Sequence, residues 1–159
     1  MIYIAHRGLF NGPSIELENS PEQIATAINN GFDCEIDLWL INDTLMLGHD
    51  HPQYIVDEYW LRNKRFWIHA KNLEALHWLV TNIKWRYNYF WHEADKYTLT
   101  SHNYIWTYPG CDLTDNSIMV LPELIDDTLS NICDIRCYAI CSDYVNTIKD
   151  TNENSSMRR

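Results

Sequence analysis

Short apolar, β-branched runs alternate along this chain with segments whose apolar positions recur every three or four residues. That is the pattern of strands followed by helices. Ile2–Ala5 is the first strand-like run and stops at His6-Arg7-Gly8. Ser20-Pro21-Glu22-Gln23 reads as a helix start. Ser20 caps it, Pro21 takes the first turn where its missing N–H costs nothing, and Gln23 can close a capping box. Ile24, Ala27 and Ile28 form the buried stripe of this helix, and Gly31 ends it. Phe32–Leu40 is the next strand, turned by Asn42-Asp43 into Leu45-Met46-Leu47, which stops at Gly48-His49-Asp50. A third main strand covers Phe66–Lys71. Asn72 then caps a helix with Leu73, Leu76, Val80 and Ile83 on one face. Tyr87–His92, Tyr104–Tyr108, Ile118–Leu121 and Tyr138–Cys141 supply further strands.

Repeated strand–helix order predicts an α/β fold with a mainly parallel sheet. A barrel of eight βα units would give each unit about 20 residues, against roughly 31 in a typical barrel. Several outer helices of such a barrel must be shortened or missing, above all between Trp85 and Ile118. Residues 1–150 form one domain on this reading, and the polar Thr151–Arg159 is a flexible tail.

At 159 residues and 46% hydrophobic content the chain can bury a sizeable core, which excludes wholesale disorder. Twelve Lys plus Arg against 22 Asp plus Glu give a formal charge of −10. So acidic a surface repels nucleic acid and anionic lipid headgroups but suits a pocket that holds a divalent cation. No run approaches the roughly 18 apolar residues of a membrane span, so no stable membrane insertion is expected. The N-terminus has no basic leader followed by a long apolar stretch, so no signal peptide is expected either. Cys133, Cys137 and Cys141 recur every fourth residue without the partner spacing of a zinc site. The five cysteines therefore read as reduced thiols of a cytoplasmic protein. Oligomeric state is not legible.

Titratable residues cluster at the ends of the expected strands: His6-Arg7, Glu35-x-Asp37, His49-Asp50 and His69-x-Lys71. Carboxylates at i and i+2 of a strand share a face. Glu35 and Asp37, if both turned inward, repel each other unless a cation lies between them, and oxygen ligands on a rigid strand suit Mg²⁺ or Ca²⁺. The same alternation also fits a half-exposed strand with both carboxylates in solvent and Cys34, Ile36 and Leu38 in the core.

Ile4-Ala5-His6-Arg7-Gly8, Glu18-Asn19-Ser20, Gly31-Phe32-Asp33-Cys34-Glu35-Ile36-Asp37 and Leu47-Gly48-His49-Asp50, in this order within 50 residues, resemble the signature of the glycerophosphodiester phosphodiesterase family. Weaker echoes follow in the strand ending at Lys71, in Ile105-Trp106-Thr107 and in Ile140-Cys141-Ser142-Asp143-Tyr144. The resemblance implies a (β/α)₈ barrel with its site at the C-terminal strand ends, here a small, trimmed one. It implies that Glu35 and Asp37 bind a divalent metal, Mg²⁺ or Ca²⁺, with Mn²⁺ an alternative. His6 and His49 would be the acid–base pair, Arg7 would hold the phosphate, Lys71 would add a second cation, and Trp106 would wall the alcohol moiety. Lys71 as a snorkelling surface residue and Trp106 as a core residue are the plainer alternatives.

Two departures stand out. Where the family strand carries Glu two residues before its lysine, this chain has His69, a nitrogen donor that shifts preference toward Mn²⁺ or Zn²⁺. Glu93, at the end of the next strand, is the oxygen alternative and is slightly favoured for a hard cation. Only 15 residues, His51 to Arg65, stand where family members carry a larger cap, so an open cleft is expected. The implied activity is metal-dependent hydrolysis of a small glycerophosphodiester-like substrate. The alternatives are a phospholipase-like enzyme acting through a cyclic phosphate and a barrel that binds a phosphate ester without turnover.

Overall fold

The computed structural model describes residues 1–126, 129, 132 and 135–156, with Ser155 and Ser156 described by their backbone only. In chain order the strands are β1 (Ile2–Ala5), β2 (Asp33–Ile41), β3 (Thr44–Leu47), β4 (Tyr54–Ile55), β5 (Phe66–Ala70), β6 (Tyr89–Phe90), β7 (Tyr97–Leu99), β8 (Ile105–Thr107), β9 (Ser117–Val120) and β10 (Ala139–Ser142). The helices are α1 (Pro21–Asn29), α2 (Glu58–Leu61), α3 (Leu73–Thr81) and α4 (Val145–Ser156).

Seven strands pair in parallel in the order β6-β5-β2-β1-β10-β9-β8. β3 and β4 fold back antiparallel on the far end of β2, and β7 pairs antiparallel with β8. Among the described residues the result is a curled half-barrel of ten strands with four α-helices, and not the (β/α)₈ barrel with alternating helices that the sequence suggested. Chain length is the physical reason. With about 20 residues per unit, the chain between Trp85 and β9 makes strands and loops with no helix, the one region where missing helices were expected.

Local chemistry sets the elements. The Ser20 hydroxyl accepts from the Gln23 N–H at 3.1 Å and Pro21 opens α1. The Gln23 side chain does not return to Ser20 as a capping box would. It donates to the Gly8 carbonyl at 3.0 Å and ties α1 to the loop after β1. Asn42 and Asp43 both take left-handed φ, 48° and 61°, which matches the twist of a two-residue hairpin.

The helix after β5 forms with the expected cap but buries another face. Of the expected face, Leu73 and Val80 are exposed, Leu76 is half-buried and Ile83 lies exposed in the turn beyond the helix, whereas Ala75 and Leu79 are buried. The Asn72 side chain bonds the Leu40 backbone twice, accepting from N–H at 3.2 Å and donating to C=O at 2.9 Å. That clamp fixes the rotation of α3 and turns its Ala75–Leu79 row to the sheet. Thr151–Ser156, expected in the polar tail, continue α4, while residues 157–159 lie outside the described region.

Cys34, Ile36 and Leu38 pack outward from β2 against Ile24 and Ala27 of α1 and Ala75 and Leu79 of α3. Ile4, Trp67, Trp106, Ile118, Ala139 and Cys141 fill the concave interior. Among the described residues no helix is long and apolar enough to cross a membrane. Cys34, Cys111, Cys137 and Cys141 are free thiols, and Cys133 lies outside the described residues.

Candidate functional site

The period-two alternation of the strands builds the site. Two residues beyond the inward-packed Ile4, Trp67 and Cys141 come His6, His69 and Asp143. On β2 the inward residues are Glu35 and Asp37, 2% and 1% exposed, so the solvent-facing reading of this pair is excluded. Both faces of the strand are buried, one against helices and the other against the site.

His6, Arg7, Glu35, Asp37, His49, His69, Lys71, Glu93 and Trp106 all line one cavity of about 490 Å³. Every site residue named from the sequence is therefore on its wall. They arrive from within β2, β5 and β8 and from the residues just after β1, β3, β5 and β6.

Two glycines shape the loops that carry the histidines. Arg7 (φ 51°) and Gly8 (φ 80°) are consecutive left-handed residues, and a Cβ on Gly8 would stand 2.8 Å from Ile24 Cγ1. This tight turn aims the Arg7 N–H at Glu35 Oε2, 3.0 Å away. Gly48 (φ 151°) leaves room for the His51 carbonyl oxygen, and its own carbonyl accepts from the Trp39 indole at 2.6 Å. The His49 loop is thereby fastened to β2, and His49 Nδ1 lies 2.7 Å from Asp50 Oδ1.

Asp37 is the hub. Its backbone N–H donates to Asn19 Oδ1 at 2.9 Å, and its Oδ2 accepts from Asn19 Nδ2 at 2.9 Å. Arg7 Nε is 3.5 Å from Oδ2, Lys71 Nζ is 3.4 Å from Oδ1, and His69 Nδ1 is 3.0 Å from Oδ1. Asp37 and His69 are register partners across the β2–β5 ladder, which explains their contact. Burial alone would raise the Asp37 pKa. The His69 hydrogen bond and the charges of Lys71 and Arg7 instead hold it well below the usual carboxylate range. Glu35 moves the other way, pushed up by burial and then by the charge of Asp37.

The histidines also diverge. Burial would lower the pKa of His6, but the Asp143 hydrogen bond and the charge of Glu35 carry it above the ordinary value. His49 is pulled down by burial and by Arg7. His92, stacked on His69 at 4.7 Å, is pulled down to about 4 by burial and by the charge of His69.

Glu35, Asp37 and His69 each bring a ligand atom to within 4.8 Å of the others, a group able to hold a metal ion. The structure thus brings His69, rather than Glu93, to the carboxylate pair; Glu93 is exposed on the cavity wall. Lys71 turns inward, with its side chain 16% exposed, and is not a snorkelling surface lysine. Trp106 is both core and wall, stacked on Phe90 at 4.4 Å while facing the cavity.

Four supporting residues had no role assigned from the sequence, although Glu18, Asn19 and Asp143 stand in its motifs. Asp143 holds His6 Nδ1 at 2.9 Å. Glu123 accepts from the Asp143 N–H at 2.9 Å and from the Ser142 hydroxyl at 2.8 Å. Glu18 accepts from Arg7 Nη1 at 2.7 Å, and Asn19 braces Asp37. For Asp143 a signal existed, since an acidic residue directly after the last strand sits where strand-end chemistry gathers.

Comparison of the chain with family models, with curated proteins and with solved structures found no match in any of the three.

Proposed function

We propose that this chain is a metal-dependent phosphoric diester hydrolase of the glycerophosphodiester phosphodiesterase type. The observation that carries this reading is the convergence of His6 and Arg7 after β1, Glu35 and Asp37 of β2, His49 after β3 and Lys71 after β5 on one cavity. The ordered motifs that resemble that family supply five of these six side chains, and Lys71 comes from one of the weaker echoes.

The donor set fits a divalent cation: two buried carboxylates and an imidazole whose ligand atoms lie close enough to share one ion. Glu35, Asp37 and His69 would hold it, and the nitrogen donor favours Mn²⁺ or a similar ion over Ca²⁺. When bound, the cation neutralises charge on the phosphoryl oxygens and relieves the repulsion between Glu35 and Asp37.

The chain's own groups supply the rest. Arg7 and Lys71 face the cavity as cations for the phosphate oxygens. His6 is oriented by Asp143 through Nδ1, which leaves Nε2 for proton transfer. His49 provides the second imidazole. Hydrolysis needs both: one takes a proton from the attacking water as its oxygen bonds to phosphorus, and one gives a proton to the alkoxide as the P–O bond breaks. The products are a phosphomonoester and an alcohol.

A second reading is a phosphate-ester binder without turnover. It is favoured by the crowding of Asp37, which already faces Arg7, Lys71 and His69. Phosphorus NMR of a glycerophosphodiester incubated with the protein and Mg²⁺, Ca²⁺ or Mn²⁺ separates the two. Growth of a monoester signal is the expected result, and a cyclic intermediate would assign the phospholipase-like route. A diester that binds and persists with every ion would leave only the binder.

A further inference from the structure

The cavity is two-sided. Its charged groups come from β1, β2, β3 and β5 and the residues just after them, with Glu93 and Asp95 following β6, whereas the stretch of wall built by β8, β9 and the segments after them is apolar: Trp106, Tyr108, Pro109, Val120, Leu121 and Leu124. Exposure rises outward along that wall, from 6% at Trp106 and 7% at Val120 to 55% at Tyr108 and 66% at Leu124. Ile125, 63% exposed, extends it, for a Cβ placed on Gly110 would stand 3.1 Å from Ile125 Cδ1. The Tyr108-Pro109-Gly110 turn and the Leu124-Ile125 corner are therefore one patch, continuous with the cavity floor. Large apolar side chains left in solvent as a patch mark a surface that something apolar covers.

The backbone supports the same wall. Leu121 takes left-handed φ and ψ, 44° and 56°, a conformation a branched side chain rarely adopts. Its N–H is held by the Cys141 carbonyl at 2.7 Å, and the residue starts the Pro122–Leu124 turn that delivers Leu124 to the cavity. Backbone strain kept in place by surrounding bonds is characteristic of binding sites.

Resting on the hydrolase reading above, we propose that the phosphodiester this cavity takes carries one long apolar arm, an alkyl or acyl chain, lying along Trp106, Tyr108, Val120, Leu121 and Leu124. The phosphate anchors at the Arg7–Lys71 side, and the arm runs out over the exposed corner. Such a diester can reach the site as a dispersed amphiphile or from a lipid surface, and both present the same chemistry.

The test is calorimetric binding of two diesters that share a phosphocholine group. Glycerophosphocholine has a glyceryl arm, and dodecylphosphocholine, used below its micelle-forming concentration, has an apolar one. The full chain with Mn²⁺ binds the dodecyl diester at least tenfold more tightly. Leu124→Ser and Tyr108→Ser each shrink that ratio at least threefold, whereas Ile83→Ser, exposed in the turn that follows α3, leaves it in place. Co-sedimentation with phosphatidylcholine vesicles assigns the bilayer as the source, and tight monomer binding with protein left in the supernatant assigns the dispersed amphiphile. Equal affinities with turnover of both diesters would overturn the apolar arm and leave the hydrolase standing. Tighter dodecyl binding without turnover of any diester would overturn the hydrolase and leave the arm.

Discussion

His6 Nδ1 lies 2.9 Å from Asp143 Oδ1, a contact that joins the residue after the first strand to the residue after the last. These two strands are neighbours in the sheet, paired from Ile2–Ala139 to Ala5–Ser142. Two side chains 137 positions apart thus meet as neighbours at one edge of the cavity. Asp143 is itself held through its N–H by Glu123. An imidazole held in this way keeps one tautomer and one orientation.

Asp143→Asn therefore lowers turnover on the order of 10²- to 10⁴-fold, with little change in substrate affinity or melting temperature, because the amide keeps the contact but selects the wrong tautomer. Steady-state kinetics beside a thermal melt checks this. A variant that loses affinity and keeps its turnover number would show that His6 serves in binding alone.

Asn19 is fully buried and makes two hydrogen bonds to Asp37, one of them to its backbone. Asn19→Ala removes both and also places Ala at φ 59°, where Asn is tolerated far better. Urea unfolding is expected to lose about 2–4 kcal/mol, since a buried N–H and a buried carboxylate oxygen lose their partner together. A loss below about 0.5 kcal/mol would mean that water replaces the amide without cost.

Metal binding couples to pH through Glu35. Its folded pKa is raised above the ordinary 4.5, so between 4.5 and the raised value the folded chain holds a proton that the unfolded chain has released. Stability of the metal-free protein is accordingly lost as pH rises through that window. A cation at saturating concentration, about 100-fold above its dissociation constant, adds about 2.7 kcal/mol, roughly 5–10 °C in melting temperature. The gain is larger at pH 7.5 than at pH 5, where protonation of Glu35 competes with the ion. Melts with Mn²⁺ and with chelator at both pH values read it directly, and Glu35→Gln should remove the difference between them.

His92 provides the opposite titration. In the metal-free protein its imidazole signal should turn over at about 4 by proton NMR. The unfolded chain takes up that proton first as pH falls from 6.5 to about 4, so the folded state loses stability across this window. His92→Phe keeps a ring against His69 and flattens that part of the acid limb. An unchanged acid limb in the variant would assign the loss to other groups.

Most local structure was legible because its causes are local. Ser20-Pro21 starts α1, Asn42-Asp43 turns the hairpin, and Asn72 caps α3. The face of α3 was not legible, since the Asn72–Leu40 clamp that rotates it joins residues 32 apart in sequence. The closed barrel failed for a related reason. The main strands and the β2–β3 hairpin can be read from runs, but the short antiparallel additions β4 and β7, which carry no apolar run of their own, depend on which edges remain open after the sheet curls. The site was read largely from motifs at strand ends. The roles of Asp143 and Glu123 were missed because their partners lie on other strands; Asp143 had its place after the last strand to mark it, and Glu123 had nothing local. His69 was weighed against Glu93 on donor chemistry, whereas ladder register placed His69 opposite Asp37.

The most direct measurement is hydrolysis of an aryl phosphodiester by the wild type, His6→Asn and Glu35→Gln across a Mn²⁺ titration. The account predicts saturable, metal-dependent turnover in the wild type. His6→Asn should fall by at least 10²-fold at saturating metal, and Glu35→Gln should need much more metal to reach its plateau. Equal rates in all three proteins, or a wild-type rate indifferent to Mn²⁺ and chelator, would contradict it.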